Sequence, residues 1–203
     1  MSTTLSSPAF LEKLRAATTN SHTGLEALPI SLSIMNPEVT NAAYALYLDL
    51  MHDVVKDAEE NIFPLVLKNA EGLDIQPKAA FIEADLKTLG IVKTRVAQPL
   101  TQGIDTHKMT PAFAFGVMYV IEGSSLGGRV ILKNINAALG HDAKSGAAYF
   151  SGYGAQTGSH WKAFLGALTQ YEEINKCEDE IIAGANFAFN AISAHFTANA
   201  PTT

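Results

Sequence analysis

Apolar residues recur along this chain at the three-to-four-residue spacing of amphipathic helices, without the alternation of a half-buried strand. Capping signals punctuate that pattern. Ser7-Pro8 places a hydroxyl before a proline at the first helical position, and predicts a helix running to about Leu28, ahead of Pro29. Asn36-Pro37-Glu38 repeats that grammar and opens a second helix, with Tyr44, Leu48, Met51, Val55 and Ile62 at helical spacing. Pro64 should end or kink it. A third helix fits Pro77 to Leu89, closed by Gly90. Thr110-Pro111 starts another, which leads through AFAFGVMYVIEGSSLGGRVILKNINAAL to Gly140. From Gly140 to Ser159 the chain turns to Gly, Ser and Ala, and reads as a long irregular connection. Helices from His160 to about Lys176 and from Glu178 to about Ala198 follow. The expected architecture is all-α, one domain over 1–203 with six to seven helices and an ordered core at about 8–198.

Composition narrows the class. A 203-residue chain suits a single domain, which hides roughly 70% of its unfolded surface and needs no staple. With 47% hydrophobic and 17% charged residues, disorder is excluded and apolar surface is left over for a ligand cavity. The net charge of −6 argues against nucleic acid, though two or three local cations would suffice for a small anionic ligand. Cys177 is the only cysteine, so no intrachain disulfide forms and a reducing compartment is expected. No apolar run approaches the ~20 residues of a membrane span. Met1 to Pro8 is polar and lacks the order of a signal peptide, so the cytoplasm is the expected location.

Two segments carry candidate chemistry. On the first helix Leu11, Leu14, Thr18 and Leu25 share an apolar sector, and His22 falls inside it, roughly 40° from Thr18. A buried neutral imidazole needs a partner for each ring nitrogen, which metal coordination and an outer hydrogen bond would supply. Arg15 stands roughly 10 Å along the axis on nearly the same side, placed to meet a carboxylate on a large planar ligand. Glu26, one turn after His22, is placed to orient the ring. The plainer alternative is an ordinary interior or rim histidine.

The second segment contains Gly123, Gly127 and Gly128 between helical stretches, each costing about 1 kcal/mol relative to alanine. Gly123 and Gly127 share a face, which would admit a flat object to the backbone; close helix packing is the competing explanation. A phosphate loop is rejected, because no Lys-Ser/Thr follows and no strand precedes. Arg129 and Lys133 lie on one face just beyond, as a carboxylate-binding pair or a solvated stripe. Tyr119 offers a phenol to the same region, or packs in the core.

LRAATTNSHTGLEAL together with MYVIEGSSLGGRVI resembles the two signature segments of heme oxygenases. Thr18, His22 and Glu26 match the family's proximal pattern, and Arg15 stands where the family places a residue that meets a heme propionate. Glu-Gly-Ser-x-Leu-Gly-Gly is similar to the bacterial branch, which includes enzymes encoded beside phytochromes. Weaker similarity continues through Trp161–Leu165 and Gly184–Phe196. The resemblance implies His22 as axial ligand to heme iron, with Gly123, Ser124, Gly127 and Gly128 forming the catalytic distal wall. It implies that Arg15, Glu26, Tyr119, Arg129 and Lys133 bind heme. It also implies cleavage of heme to biliverdin, carbon monoxide and ferrous iron, with O2 and an external electron donor (ferredoxin, flavodoxin or reductase). Animal-type relatives carry an aspartate where Ser124 stands, a departure that leaves a non-catalytic heme carrier or buffer as the alternative. Further relatives of this fold act on thiamin-type substrates or carry paired iron. Cys177 is a poor nucleophile for the former, and Glu59, Glu60 and His52 read as a solvated face. His107, His141, His160 and His195 are likewise expected at the surface.

Overall fold

In the computed structural model, which describes residues 9–200, all the regular secondary structure is helical, and seven of its helices run ten residues or more. In chain order these are α1 (Ala9–Glu26), α3 (Asn41–Asp57), α5 (Ala79–Thr88), α6 (Pro111–Gly123), α7 (Gly128–Leu139), α8 (Thr157–Asn175) and α9 (Glu178–Ala198). Two short helices, α2 (Pro29–Ser33) and α4 (Phe63–Leu67), fill the joints. The Ser7-Pro8 start lies outside the described residues.

Thr110 acts as expected: its hydroxyl accepts from the Phe113 amide at 3.2 Å, with Pro111 in the first turn. The Asn36-Pro37-Glu38 prediction fails in an instructive way. Asn36 does cap, but its side chain accepts from the Glu38 amide and closes a turn, and α3 begins later behind Thr40, which accepts from Ala43. An Asx turn and a helix cap use the same hydrogen-bond chemistry, so sequence alone does not separate them. Ahead of Pro64 the regular α-helix gives way to a wider turn and then resumes. Residues Ala58–Ile62 form a π-helical turn, in which the Phe63 amide reaches back to the Ala58 carbonyl. That wider turn accommodates the missing proline donor before α4 resumes.

The same π turn carries Glu59, whose carboxylate accepts from the Lys78 amide and from the Ala79 amide at 2.8 Å and thereby caps α5. The segment after α5 is irregular and is tied down by buried carboxylates of α3. Asp53 accepts from the Ala97 amide at 2.8 Å, and Asp57 from the Leu100 and Thr101 amides at 2.7 and 3.0 Å. Gly140 closes α7 at φ 77°, and the stretch to residue 156 is irregular as the composition suggests, with α8 starting three residues earlier than expected.

α9 organises the interior, packing most extensively against α6 and next against α1. Its crossing with α6 is made at backbone distance. A Cβ at Gly116 would sit 2.0 Å from the Ile181 carbonyl oxygen, and one at Gly184 2.1 Å from that of Phe113. α1 runs parallel to α9: Lys13 pairs with Glu178 near one end, and the Ser21 hydroxyl donates to Asn186 at 2.8 Å further along. Phe10, Leu14 and Thr18 are the buried positions of α1. α9 thus holds α1 on one side and, on the other, the helix that leads into the glycine segment.

Candidate active site

The expected interior position of His22 is corrected by the structure. Its side chain is 56% exposed, because α9 covers α1 on one side only. The ring is nevertheless placed: its centroid lies 5.4 Å from that of Phe189 on α9, and Nε2 is 3.3 Å from the Glu26 carboxylate. Glu26 therefore does contact the imidazole, through a solvent-exposed pair that exchanges at little cost. Thr18 is buried and donates to the Leu14 carbonyl at 2.8 Å, so it anchors the helix and leaves the ring alone. Arg15 is exposed and enters no ion pair among the described residues.

The single helix expected from Thr110-Pro111 to Gly140 is divided in two at the glycine segment, where three glycines in six residues lower the helix propensity. α6 stops at Gly123, Ser124–Leu126 form a tighter 3₁₀ turn, and α7 starts at Gly128. The three glycines do different things. A Cβ on Gly127 would meet nothing closer than the Ser124 carbonyl oxygen at 3.7 Å, so its backbone faces open space. At Gly123 a Cβ would lie 3.4 Å from the Trp161 ring, so this glycine makes room for an indole. Gly128 is buried, and its Cβ would stand 2.7 Å from the Phe150 carbonyl oxygen; it serves close backbone packing. Close helix packing and an open backbone face thus both occur, at different glycines.

Ser124 is exposed, its hydroxyl donating to the Ile121 carbonyl at 2.7 Å. Tyr119 is half-buried with its ring 5.5 Å from Trp161, and Trp161 in turn stacks on Phe164. These aromatic rings flank the end of α6. Arg129 and Lys133 are exposed on α7 and form no ion pair among the described residues.

Sequence reasoning missed what lies behind the segment. Lys78 and Glu122 form a buried ion pair at 2.8 Å. Beside it is a cavity of about 30 Å³ lined by Tyr47, Ser124, Ser125, Tyr149 and Phe150 among others. Burial pushes the Tyr47 and Tyr149 phenols far above their ordinary range, so both stay neutral donors. Only Glu122 belonged to a segment that had drawn attention; its partner is 44 residues away, and no local spacing announces it.

Two histidines expected at the surface are interior. His52 is 2% exposed and bonds Glu83 through Nε2 at 3.0 Å, and His195 bonds Asp53 at 3.1 Å. Burial raises the Asp53 carboxyl, but hydrogen bonds from His195, the Ala97 amide and Lys93, with the Lys93 charge, outweigh it and hold the group below its usual value. Glu59 caps α5, and Glu60 pairs with Lys56 at 3.4 Å. Among the described residues no three His, Cys, Asp or Glu side chains gather as a metal site.

Comparison with known proteins agrees with this geometry. The family model described as heme oxygenase matches residues 8–198. A heme oxygenase of Xanthomonas campestris is 29% identical over 157 residues, which cover 75% of this chain and 86% of that protein. Among solved structures, the Neisseria meningitidis heme oxygenase, studied with NO and CO bound, superposes with a TM-score of 0.73 at 23% identity, covering 94% of this chain and 91% of that one. The Leptospira interrogans heme oxygenase gives 0.74 at 19% identity, over 93% and 98%. A cyanobacterial Synechocystis enzyme in complex with heme gives 0.73 at 17% identity, over 93% and 91%.

Proposed function

The chain belongs to the heme oxygenase family, and from that premise we propose that it opens heme oxidatively to biliverdin, carbon monoxide and ferrous iron. The reaction consumes O2 and electrons from an external donor of the ferredoxin, flavodoxin or reductase class. His22 carries the proposal. Its ring is open to solvent, is backed by an interior aromatic, Phe189, and is held only by the exposed Glu26 carboxylate. Elsewhere His52 and His195 are tied to carboxylates, His141 bonds Asn41, and His160 lies flat on Tyr153.

The residues present fit a large flat dianion. The accessible His22 imidazole would hold the iron of such a group, the bare backbone at Gly127 would admit a flat ring, and exposed Arg15, Arg129 and Lys133 would meet its propionates. Heme itself, when bound, supplies the iron and the electron chemistry. The chain's part is to hold the macrocycle by His22, with Glu26 steadying the imidazole. It fixes the rotation of the ring through the three cations, and the bare backbone at Gly127, beside Ser124, keeps bulk off the facing wall, while Gly123 and Gly128 let Trp161 and Phe150 pack closely behind it. Ser124, a hydroxyl where animal-type enzymes carry a carboxylate, orders water there without adding charge. Tyr119 acts with Trp161 as a wall at the end of α6.

We propose a single domain over 1–203 working in the cytoplasm, in keeping with the lone Cys177 and a reducing compartment. Among the described residues no helix is long and apolar enough to cross a membrane. Supplying hemin, reductant and air tests the activity: a Soret band that gives way to a biliverdin spectrum is the expected result. A heme complex that persists through repeated cycles would identify a carrier instead.

A further inference from the structure

The buried ion pair behind the glycine segment has no part in the reaction as set out above. Lys78, the residue before α5, meets Glu122, the last side chain of α6 before Gly123, at 2.8 Å, with side chains 8% and 3% exposed. Each charge has further partners. The Lys78 ammonium donates to the Ser125 hydroxyl at 3.1 Å and sits 4.4 Å from the centre of the Tyr153 ring. The Tyr153 hydroxyl donates to the other Glu122 oxygen at 2.9 Å. Glu59, capping α5, and Asp74 and His160, around Tyr153, are the other ionisable groups nearby, with the Tyr149 phenol across the cavity.

Removing two charges from water costs about what their attraction returns, so stability is a poor reason for such a pair. Its position suggests a better one. Lys78 lines the same 30 Å³ cavity as Ser124, Ser125 and Gly128, and a space of that size has room for one or two waters against the Lys78 ammonium and the serine hydroxyls, the only polar side-chain groups on otherwise largely apolar and aromatic walls apart from the tyrosine phenols. In so buried a setting an ionic charge acts with little screening.

We propose that Lys78 and Glu122 are positioning residues that set the electrostatic field at the open face of the glycine segment, balanced against one another and relayed through Ser125 and the cavity. This rests on the heme oxygenase reading, because the field is felt by a ligand bound to heme there. The probe is carbon monoxide on the reduced heme complex, read by its infrared stretch at pH 8, in wild type, Lys78→Met, Glu122→Gln and the double variant. A more positive surrounding lowers that frequency and a more negative one raises it.

Lys78→Met leaves Glu122 uncompensated and raises the stretch, Glu122→Gln leaves Lys78 uncompensated and lowers it, and the double variant returns close to wild type. Shifts of the same sign in both single variants, or none in either, overturn the inference. Should a single variant not fold, neutral substitutions replace it: Tyr153→Phe weakens support for the carboxylate and raises the frequency, and Ser125→Ala removes an acceptor from the ammonium and lowers it. A wild-type protein that forms no heme complex contradicts the heme oxygenase reading itself. A normal wild-type complex with no signed shifts contradicts this inference alone.

Discussion

Gly184→Ala should destabilise the protein although alanine is the better helix former. The new methyl would stand 2.1 Å from the Phe113 carbonyl oxygen and 2.9 Å from its carbon. The obstacle is backbone inside α6, so no rotamer change relieves it, and the helices must part by roughly 1 Å to restore ordinary contact. A gap of that size forfeits about a quarter to a half of each dispersion contact along the most extensive helix pairing of the fold. Overpacking of this kind costs about 3–4 kcal/mol, and the propensity gain of about 1 kcal/mol offsets part of it. The net loss of about 2–3 kcal/mol lowers the melting temperature by roughly 5–10 °C in a chain of this length.

Gly166→Ala is the control. Gly166 sits inside α8 and is exposed, with nothing within 4 Å of an added Cβ, so the same substitution should gain about 0.5–1 kcal/mol. Circular dichroism melts and urea titrations of both variants decide the matter. A Gly184→Ala protein as stable as wild type, or a Gly166→Ala protein that loses as much, would refute the reasoning about the α6–α9 crossing.

Gly127→Ala should fold normally, its Cβ meeting only Ser124 at 3.7 Å, yet bind hemin more weakly. Gly128→Ala should lose about 1–3 kcal/mol of stability, because its Cβ would strike the Phe150 carbonyl at 2.7 Å. Melting curves with hemin titrations separate the two. Asp53, held below its ordinary value in the fold, stabilises the protein above the unfolded carboxylate range near pH 4, and that contribution fades as pH falls through the lower folded value. In urea titrations Asp53→Asn should therefore be less stable than wild type at pH 7, with the gap closing toward pH 3; a gap that widens in acid would contradict the assignment. Glu59→Ala uncovers the two amides that its carboxylate caps and should cost about 1 kcal/mol, with faster amide exchange at Lys78 and Ala79.

Local grammar made most of the fold legible. Thr110-Pro111, Gly90, Gly140 and the Glu178 start act over one turn of chain, and the structure uses each near the expected place. The failures come from longer range or from ambiguity. Asn36 spends its capping oxygen on a turn, and the π turn before Pro64 is a register adjustment that no spacing rule announces. On the helical wheel His22 looked interior, but how much of the α1 face is covered depends on α9, more than 160 residues away. The roles of the three glycines separate only once Trp161 and Phe150 are in place. Lys78, Tyr149, Tyr153 and Phe189 drew no notice, because each acquires meaning from a partner distant in sequence.

The most direct test of the account is an absorbance titration of wild type and His22→Ala with hemin, followed by reductant in air. Wild type should form a saturable Soret complex that converts to biliverdin, and His22→Ala should fail to turn over and recover in part with added imidazole. A His22→Ala variant that forms biliverdin at the wild-type rate without imidazole would contradict the placing of heme iron on His22, and with it the site described here.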